Sequence, residues 1–264
     1  MTRPLSQADQ ALLDICIGEP EALSASWSRW IAGLPGPPDG EGPPYPAHWR
    51  DLLPLVAYRQ RQTQLTGPQW MISRLRMAAL LEERRLAAVH AVTADILALA
   101  SVAARDPLII GGLALGETVY PHPATRHTGV LTLMLAAGTP LWRLMRDLRS
   151  RHYRVRQAGW RMLHVPLRPL AHLRAAHPSG FQFTLLSAPL WSARAPLSHA
   201  RLRHRAQDIH ASETLRFLAP HPQDAAALLE VGIGREWNPL SLMPAVDRAL
   251  LHQALPRSHQ EDPT

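Results

Sequence analysis

Between Pro107 and Leu135 the chain changes from long helical patterning to short apolar runs broken by glycine, and no other stretch restricts the fold as much. Leu108-Ile109-Ile110 is a strand-length apolar run. Gly111-Gly112 follows it directly, then the helix-like segment Leu113–Tyr120, then Pro121. A second apolar run, Val130–Leu135, opens after Gly129. A strand, a glycine turn onto a helix N-terminus and a second strand make an α/β (α+β) unit. The expected fold is therefore a small mixed sheet flanked by N-terminal and C-terminal helices.

Residues 6–32 read as two helices. Ser6 caps the first, whose apolar side is Leu12, Leu13, Ile15 and Ile17; the second carries Trp27 and Trp30 on one face. A Pro- and Gly-rich loop occupies 33–48. From Trp49 to Ala104 the pattern is helical, with Gly67-Pro68 as its break. Beyond the glycine block, the segment Leu141–Arg151 reads as a basic helix. Tyr153–Arg156, Arg161–Val165 and Phe181–Leu186 read as strands, and Asp224–Gly232 and Leu240–Leu255 as helices. The expected organisation is a helical region over 1–104, an α/β core over 105–190, a helical region over 191–256 and a frayed tail over 257–264.

The chain has 264 residues, 46% of them hydrophobic and 19% charged, as in a soluble globular protein. All 28 basic residues are arginine, and the net charge of +7 favours anionic partners such as nucleotide phosphates or RNA. One cysteine, Cys16, excludes an intrachain disulfide and a CxxC zinc site. The most apolar helical stretch, Leu86–Ala104, is interrupted by His90, Thr93, Asp95 and Ser101, which points to a buried helix rather than a membrane span. Met1–Leu5 leads into a polar helix start, so a cytoplasmic location is expected.

The chemistry is sharpest at the second strand. Residues i and i+2 of a strand share a face, so two acids at that spacing hold Mg²⁺ jointly and a third from a neighbouring strand completes a two-metal site. Here the pair is Val130 and Thr132, and the next strand offers Gln182 and Thr184. Glycines before a helix let a phosphate approach the backbone.

In the order Ile110-Gly111-Gly112, Tyr120-Pro121, Arg126 and Gly129-Val130-Leu131-Thr132, the chain resembles the uncharacterised nucleotidyltransferase family of bacterial gene clusters, within the polymerase-beta-like nucleotidyltransferase superfamily. Thr184-Leu185-Leu186-Ser187 matches the next landmark. The segments Asp224–Trp237 and around Asp247 resemble the later helices, so the likeness covers roughly residues 10–255. The resemblance implies a nucleotidyltransferase core with Gly111, Gly112, Arg126 and Tyr120 at the nucleotide phosphates and base; read as residues alone, the glycines equally make a tight turn without a ligand, Arg126 equally closes a turn by hydrogen bonds, and Tyr120 more often packs than stacks.

The departures define the function expected. The family's Lys falls on Gly111 and its three carboxylates fall on Val130, Thr132 and Thr184. Between Thr118 and Gln207 the only acid is Asp147, inside the arginine-rich run Arg143–Arg156, so no shift of alignment supplies two acids to the strand. Losing the ions removes several kcal/mol of transition-state stabilisation, at ~1.4 kcal/mol per decade of rate. The expected protein is a degenerate, non-catalytic member: a pseudoenzyme adaptor binding a nucleotide triphosphate, a protein of the same biosynthetic or regulatory pathway, or both. No cofactor is expected; Mg²⁺ belongs only to the alternative of an active enzyme transferring a nucleoside monophosphate to a small molecule, peptide or protein with displaced acids, for which Glu117, Asp106 and Asp147 are the candidates. A second alternative is an arginine-rich RNA-binding module.

His199, His204 and His210 share a segment with Arg201, Arg203 and Arg205, whose charges oppose a cation; an exposed basic face is the ordinary reading and RNA or an acidic partner the functional one. Trp27, Trp30, Trp49 and Trp70 are expected to pack between helices.

Overall fold

The computed structural model describes residues 4–34, 45–136, 141–164, 167–187, 198–230 and 241–255. Most of the expected 33–48 loop up to Pro44, the tail Ser258–Thr264, and the part of the expected late helices between 231 and 240 lie outside the described residues. The chain divides into two compact units. One comprises Met1–Arg85, Ala124–His127 and Trp237–Leu250; the other Leu86–Pro123, Thr128–Glu236 and Leu251–Thr264.

The first unit is helical. Helix α1 (Gln7–Ile17) starts at Ser6, whose hydroxyl accepts from the Asp9 amide at 3.1 Å while the Asp9 carboxylate accepts from the Ser6 amide at 2.9 Å. Each side chain satisfies an amide that the helix leaves unbonded. Helix α2 (Pro20–Ala32) opens on a proline, which has no amide hydrogen to lose. Helix α3 (Leu53–Thr63) and the first part of α4 (Gln69–Leu97) follow. Leu12, Ile15, Leu23, Trp30, Leu55, Met71 and Leu75 are fully buried.

Trp30 sits in an aromatic cluster, with ring centroids 5.4 Å from Trp27, 5.9 Å from Tyr45 and 6.1 Å from Trp49; Trp70 lies 6.3 Å from Tyr45. The four tryptophans thus pack between helices. Two polar tips are satisfied: the Trp27 indole donates to the Thr66 carbonyl at 2.7 Å, and that of Trp49 to the Asp9 carboxylate at 2.6 Å. His48 reaches the same carboxylate oxygen at 2.8 Å. Burial raises the Asp9 carboxyl, but the hydrogen bonds from Trp49, Ser6 and His48 outweigh it and hold the group well below the usual carboxylate range.

The second unit is built on one mixed sheet of seven strands: β1 (Leu108–Ile110), β2 (Leu131–Leu135), β3 (Arg154–His164), β4 (Leu167–Ala176), β5 (Gln182–Ser187), β6 (Gln207–His210) and β7 (Arg216–Ala219). Their order is β3-β4-β5-β2-β1-β7-β6. Strand β1 runs antiparallel to β2 and parallel to β7, β2 runs parallel to β5, and β3-β4-β5 form an antiparallel meander. The α/β class expected from the glycine block is the one observed, with helices toward both ends of the chain.

Alternate residues of the central strands go to opposite faces, and both faces are covered. Ile109, Leu131, Leu133, Phe183 and Leu185 join Val89, Val92 and Ile96 of α4 and Leu144 and Leu148 of α7 (Leu141–Ser150). Leu108, Ile110, Met134 and Leu186 face the other way, onto Leu202 of α8 (His199–His204) and Leu228 of α9 (Pro222–Glu230). Burial on both sides explains why β1 reads as an unbroken apolar run and β2 as one broken only by Thr132, rather than as alternating strands. Each such side chain contributes about 1.5–3 kcal/mol.

Three sequence expectations change. Tyr153–Arg156 and Arg161–Val165 are not separate strands: one strand, β3, runs from Arg154 to His164. Strand β4 has no counterpart among the expected strands, because Pro169, three alanines and two arginines obscure its period. Strands β6 and β7 lie beyond residue 190, the limit expected for the α/β core, and join the same sheet. The short helix α5 (Ala100–Ala103) precedes β1, and α10 (Met243–Ala254) closes the described chain. No helix among the described residues is long and apolar enough to cross a membrane; Val89, Val92, Ile96, Leu99 and Val102 of the Leu86–Ala104 stretch are buried in the sheet core.

Candidate functional site

The site grows from the register of the central strands. Thr132 of β2 stands directly opposite Thr184 of β5, and opposite Ile110 of β1 on its other side. Arg174 of β4 stands opposite Thr184. Paired residues share a face of the sheet. A row Arg174–Thr184–Thr132–Ile110 therefore crosses four strands and ends one residue before Gly111. Thr132 is part-exposed, Thr184 is 9% exposed and Arg174 is half-buried. Val130 lies in the bend just before β2.

Gly111 is where only glycine fits. Its φ of 75° and ψ of −144° belong to a region closed to residues with a Cβ. This turn starts α6 (Gly112–Thr118), with Gly112 buried as its first residue. A small apolar recess lies at the turn, lined by Ile110, Gly111, Ala114 and Leu115 together with Leu228 and Leu229 of α9.

This donor set does not fit a divalent cation. Mg²⁺ takes carboxylate oxygens or phosphates, whereas the row offers two hydroxyls and a guanidinium. Arg174, paired in register with Thr184, has only donors and adds no ligand for a cation. Among the described residues, no group of three or more His, Cys, Asp or Glu side chains is arranged to hold a metal ion.

No family model matches this sequence, and no curated protein does.

The remaining candidates are dispersed. Tyr120 is 7% exposed, and its amide donates to the Leu115 carbonyl at 3.2 Å, so its ring is packed in the fold. Arg126 belongs to the helical unit, where it is 2% exposed; its Nε and Nη2 donate to the two carboxylate oxygens of Asp247 at 2.8 and 2.9 Å, and Nη1 donates to the His127 carbonyl. A phosphate at Arg126 would have to displace that ion pair. Glu117 pairs with His90 at 2.8 Å. Asp147 of α7 sits 3.7 Å from Arg151, just past the helix end. Asp106 has a φ of 45°, and its carbonyl lies 2.8 Å from Nε2 of His199.

The three histidines do not come together as a metal site. His199 is buried against Asp106, and burial lowers its pKa. His204 ends α8 and His210 ends β6. Near them an open pocket is lined by Asp106, Arg203, Asp208, Arg216 and apolar neighbours. Asp208 and Arg216 form an exposed ion pair there, and the hydrogen bond from Arg216 lowers the Asp208 carboxyl.

Arg174 is the residue that sequence reasoning missed. Nothing in Leu170–Ala176 marks it, since only the β4–β5 register brings it beside Thr184.

Proposed function

We propose that this chain is a nucleotidyltransferase-like protein without catalytic power, working in the cytoplasm as a nucleotide- or protein-binding adaptor. The observation that carries the reading is the register of Thr132 against Thr184, with Arg174 beside them. In an enzyme of the type the chain resembles, these strand positions bear the acids that clamp the metal. Here they bear neutral hydroxyls next to a cation. The pairing of β1 with β2 and of β2 with β5 supports the likeness, since it brings the turn at Gly111, Thr132 and Thr184 to one region of the sheet.

An anionic ligand at this row would be held by the Thr132 and Thr184 hydroxyls without a metal. The reading of an active enzyme with displaced acids gains no support from geometry. Glu117 is engaged with His90, Asp147 of α7 with Arg151, and among the described residues no three His, Cys, Asp or Glu side chains gather to hold a metal.

Two measurements test the proposal. Incubation with labelled ATP, GTP, CTP or UTP and Mg²⁺ or Mn²⁺ should leave no labelled acceptor; labelled product sinks the reading. A rise in melting temperature with nucleotide that persists in EDTA supports metal-free nucleotide binding. Without a shift, the adaptor role narrows to protein partners.

A further inference from the structure

The basic helix α7 carries an aromatic surface that the core site does not use. Leu144 and Leu148 point into the sheet core, where they are buried. On the opposite side, Trp142, Arg146 and Arg149 follow at i, i+4 and i+7, so they form one exposed stripe. Trp142 is 55% exposed, unusual for the largest apolar side chain. The Arg143 and Arg146 guanidinium carbons lie 5.0 and 5.5 Å from the Trp142 ring centroid. Arg151, one residue past the helix, is exposed as well. Four exposed arginines, Arg143, Arg146, Arg149 and Arg151, thus lie along the helix of one exposed tryptophan, with Asp147 as the one carboxylate within 142–151.

We propose that this stripe binds a single-stranded nucleic acid, with a base stacked on Trp142 and the neighbouring phosphates held by Arg146 and Arg149. The charge fits a polyanion, and the indole explains why the strand must be single: in a duplex the base faces are already occupied. An exposed cation–π contact is weaker than the stacking of a base on the same ring. A base therefore displaces one guanidinium from the indole, and the freed arginine turns to phosphate. An acidic polypeptide would use the arginines but leave the ring without a role. An anionic membrane surface would need a wider apolar face than one tryptophan, and the apolar face of α7 is already buried in the core. This surface is independent of the Thr132–Thr184 site, so either proposal can fail alone.

The test is fluorescence polarisation of the full chain with a labelled twelve-nucleotide oligouridylate over a salt series, with oligodeoxythymidylate of equal length, an RNA duplex, polyglutamate and phosphatidylglycerol vesicles as further arms. Both single strands should bind more tightly than the duplex, and the preference between them assigns RNA or DNA. Trp142→Ala should weaken single-strand binding about tenfold with an unchanged salt slope, while Trp142→Phe keeps most of the affinity. The double variant Arg146→Gln/Arg149→Gln should flatten the slope by roughly 0.7 for each phosphate no longer neutralised. All of these side chains are exposed, and an unchanged melting temperature verifies the fold. The proposal is overturned by absence of single-strand binding at low salt, by binding indifferent to Trp142→Ala, or by polyglutamate or vesicles binding as tightly and with the same dependence on Trp142.

Discussion

Asp247 grips Arg126 with both carboxylate oxygens across 121 positions of sequence, and each side chain is 2% exposed. The pair tethers the short segment Ala124–His127 to α10 within the helical unit. Removing one partner leaves a buried charge without compensation. Asp247→Ala should therefore cost about 3–5 kcal/mol in urea unfolding, whereas Arg126→Met/Asp247→Leu should lie much nearer the wild type. Equal losses in both variants would show that packing rather than charge holds this segment.

Acid should weaken the same unit through Asp9. Its carboxyl is depressed in the folded state, so the unfolded chain binds more protons below its ordinary pKa of about 3.9. The stabilisation is complete above that value and is lost as pH falls through it toward the folded value. Asp9→Asn should cost about 1–3 kcal/mol at neutral pH and flatten the decline in stability below pH ~5. An unchanged acid profile in the variant would contradict the assignment.

Gly111 supplies a backbone prediction. With φ at 75° and ψ at −144°, Gly111→Ala should lose about 1–3 kcal/mol from strain alone. Thermal melting reads the loss directly, and a stabilised variant would mean that the turn is not formed as described.

Installing acids is the most demanding trial of the strand register. In Val130→Asp/Thr132→Asp/Thr184→Asp, the carboxylates at 132 and 184 would stand opposite each other. Mutual repulsion should lower the melting temperature, and Mn²⁺ should restore it in the triple variant while leaving the wild type unchanged. A triple variant that ignores Mn²⁺ would discard the proposed placement of the lost acids.

Cys16 should be inert while the chain is folded. It is fully buried, and burial pushes its thiol up to about 12. A thiol-reactive dye should label it only after unfolding in guanidinium, because the thiolate is the reactive form.

Local pattern revealed those elements whose signals are local. The apolar runs at Leu108–Ile110 and Val130–Leu135 (the strand itself starting at Leu131), the glycine turn between them and the capped start at Ser6 are all legible in sequence, since each depends on neighbours a few residues away. Strand β4 is not, because Ala, Pro and Arg dilute its alternation, and its place is decided by pairing with β3 and β5. The same limit hid Arg174, whose meaning comes from a partner ten residues later. It also hid Arg126: an arginine near a glycine-led strand looks available to a phosphate until Asp247, far along the chain, is brought to it.

Among the described residues, β3 and β6 are the outer strands of the sheet. Exposed Arg154 and Arg156 stud the first, while the second is a four-residue strand whose Asp208 is tied to Arg216 of its neighbour. Charge and shortness both deter a passing strand from docking onto unpaired backbone. The sheet thereby resists recruiting a second copy edge to edge, and the arginines on its outer strand serve that protection as well as any ligand they hold.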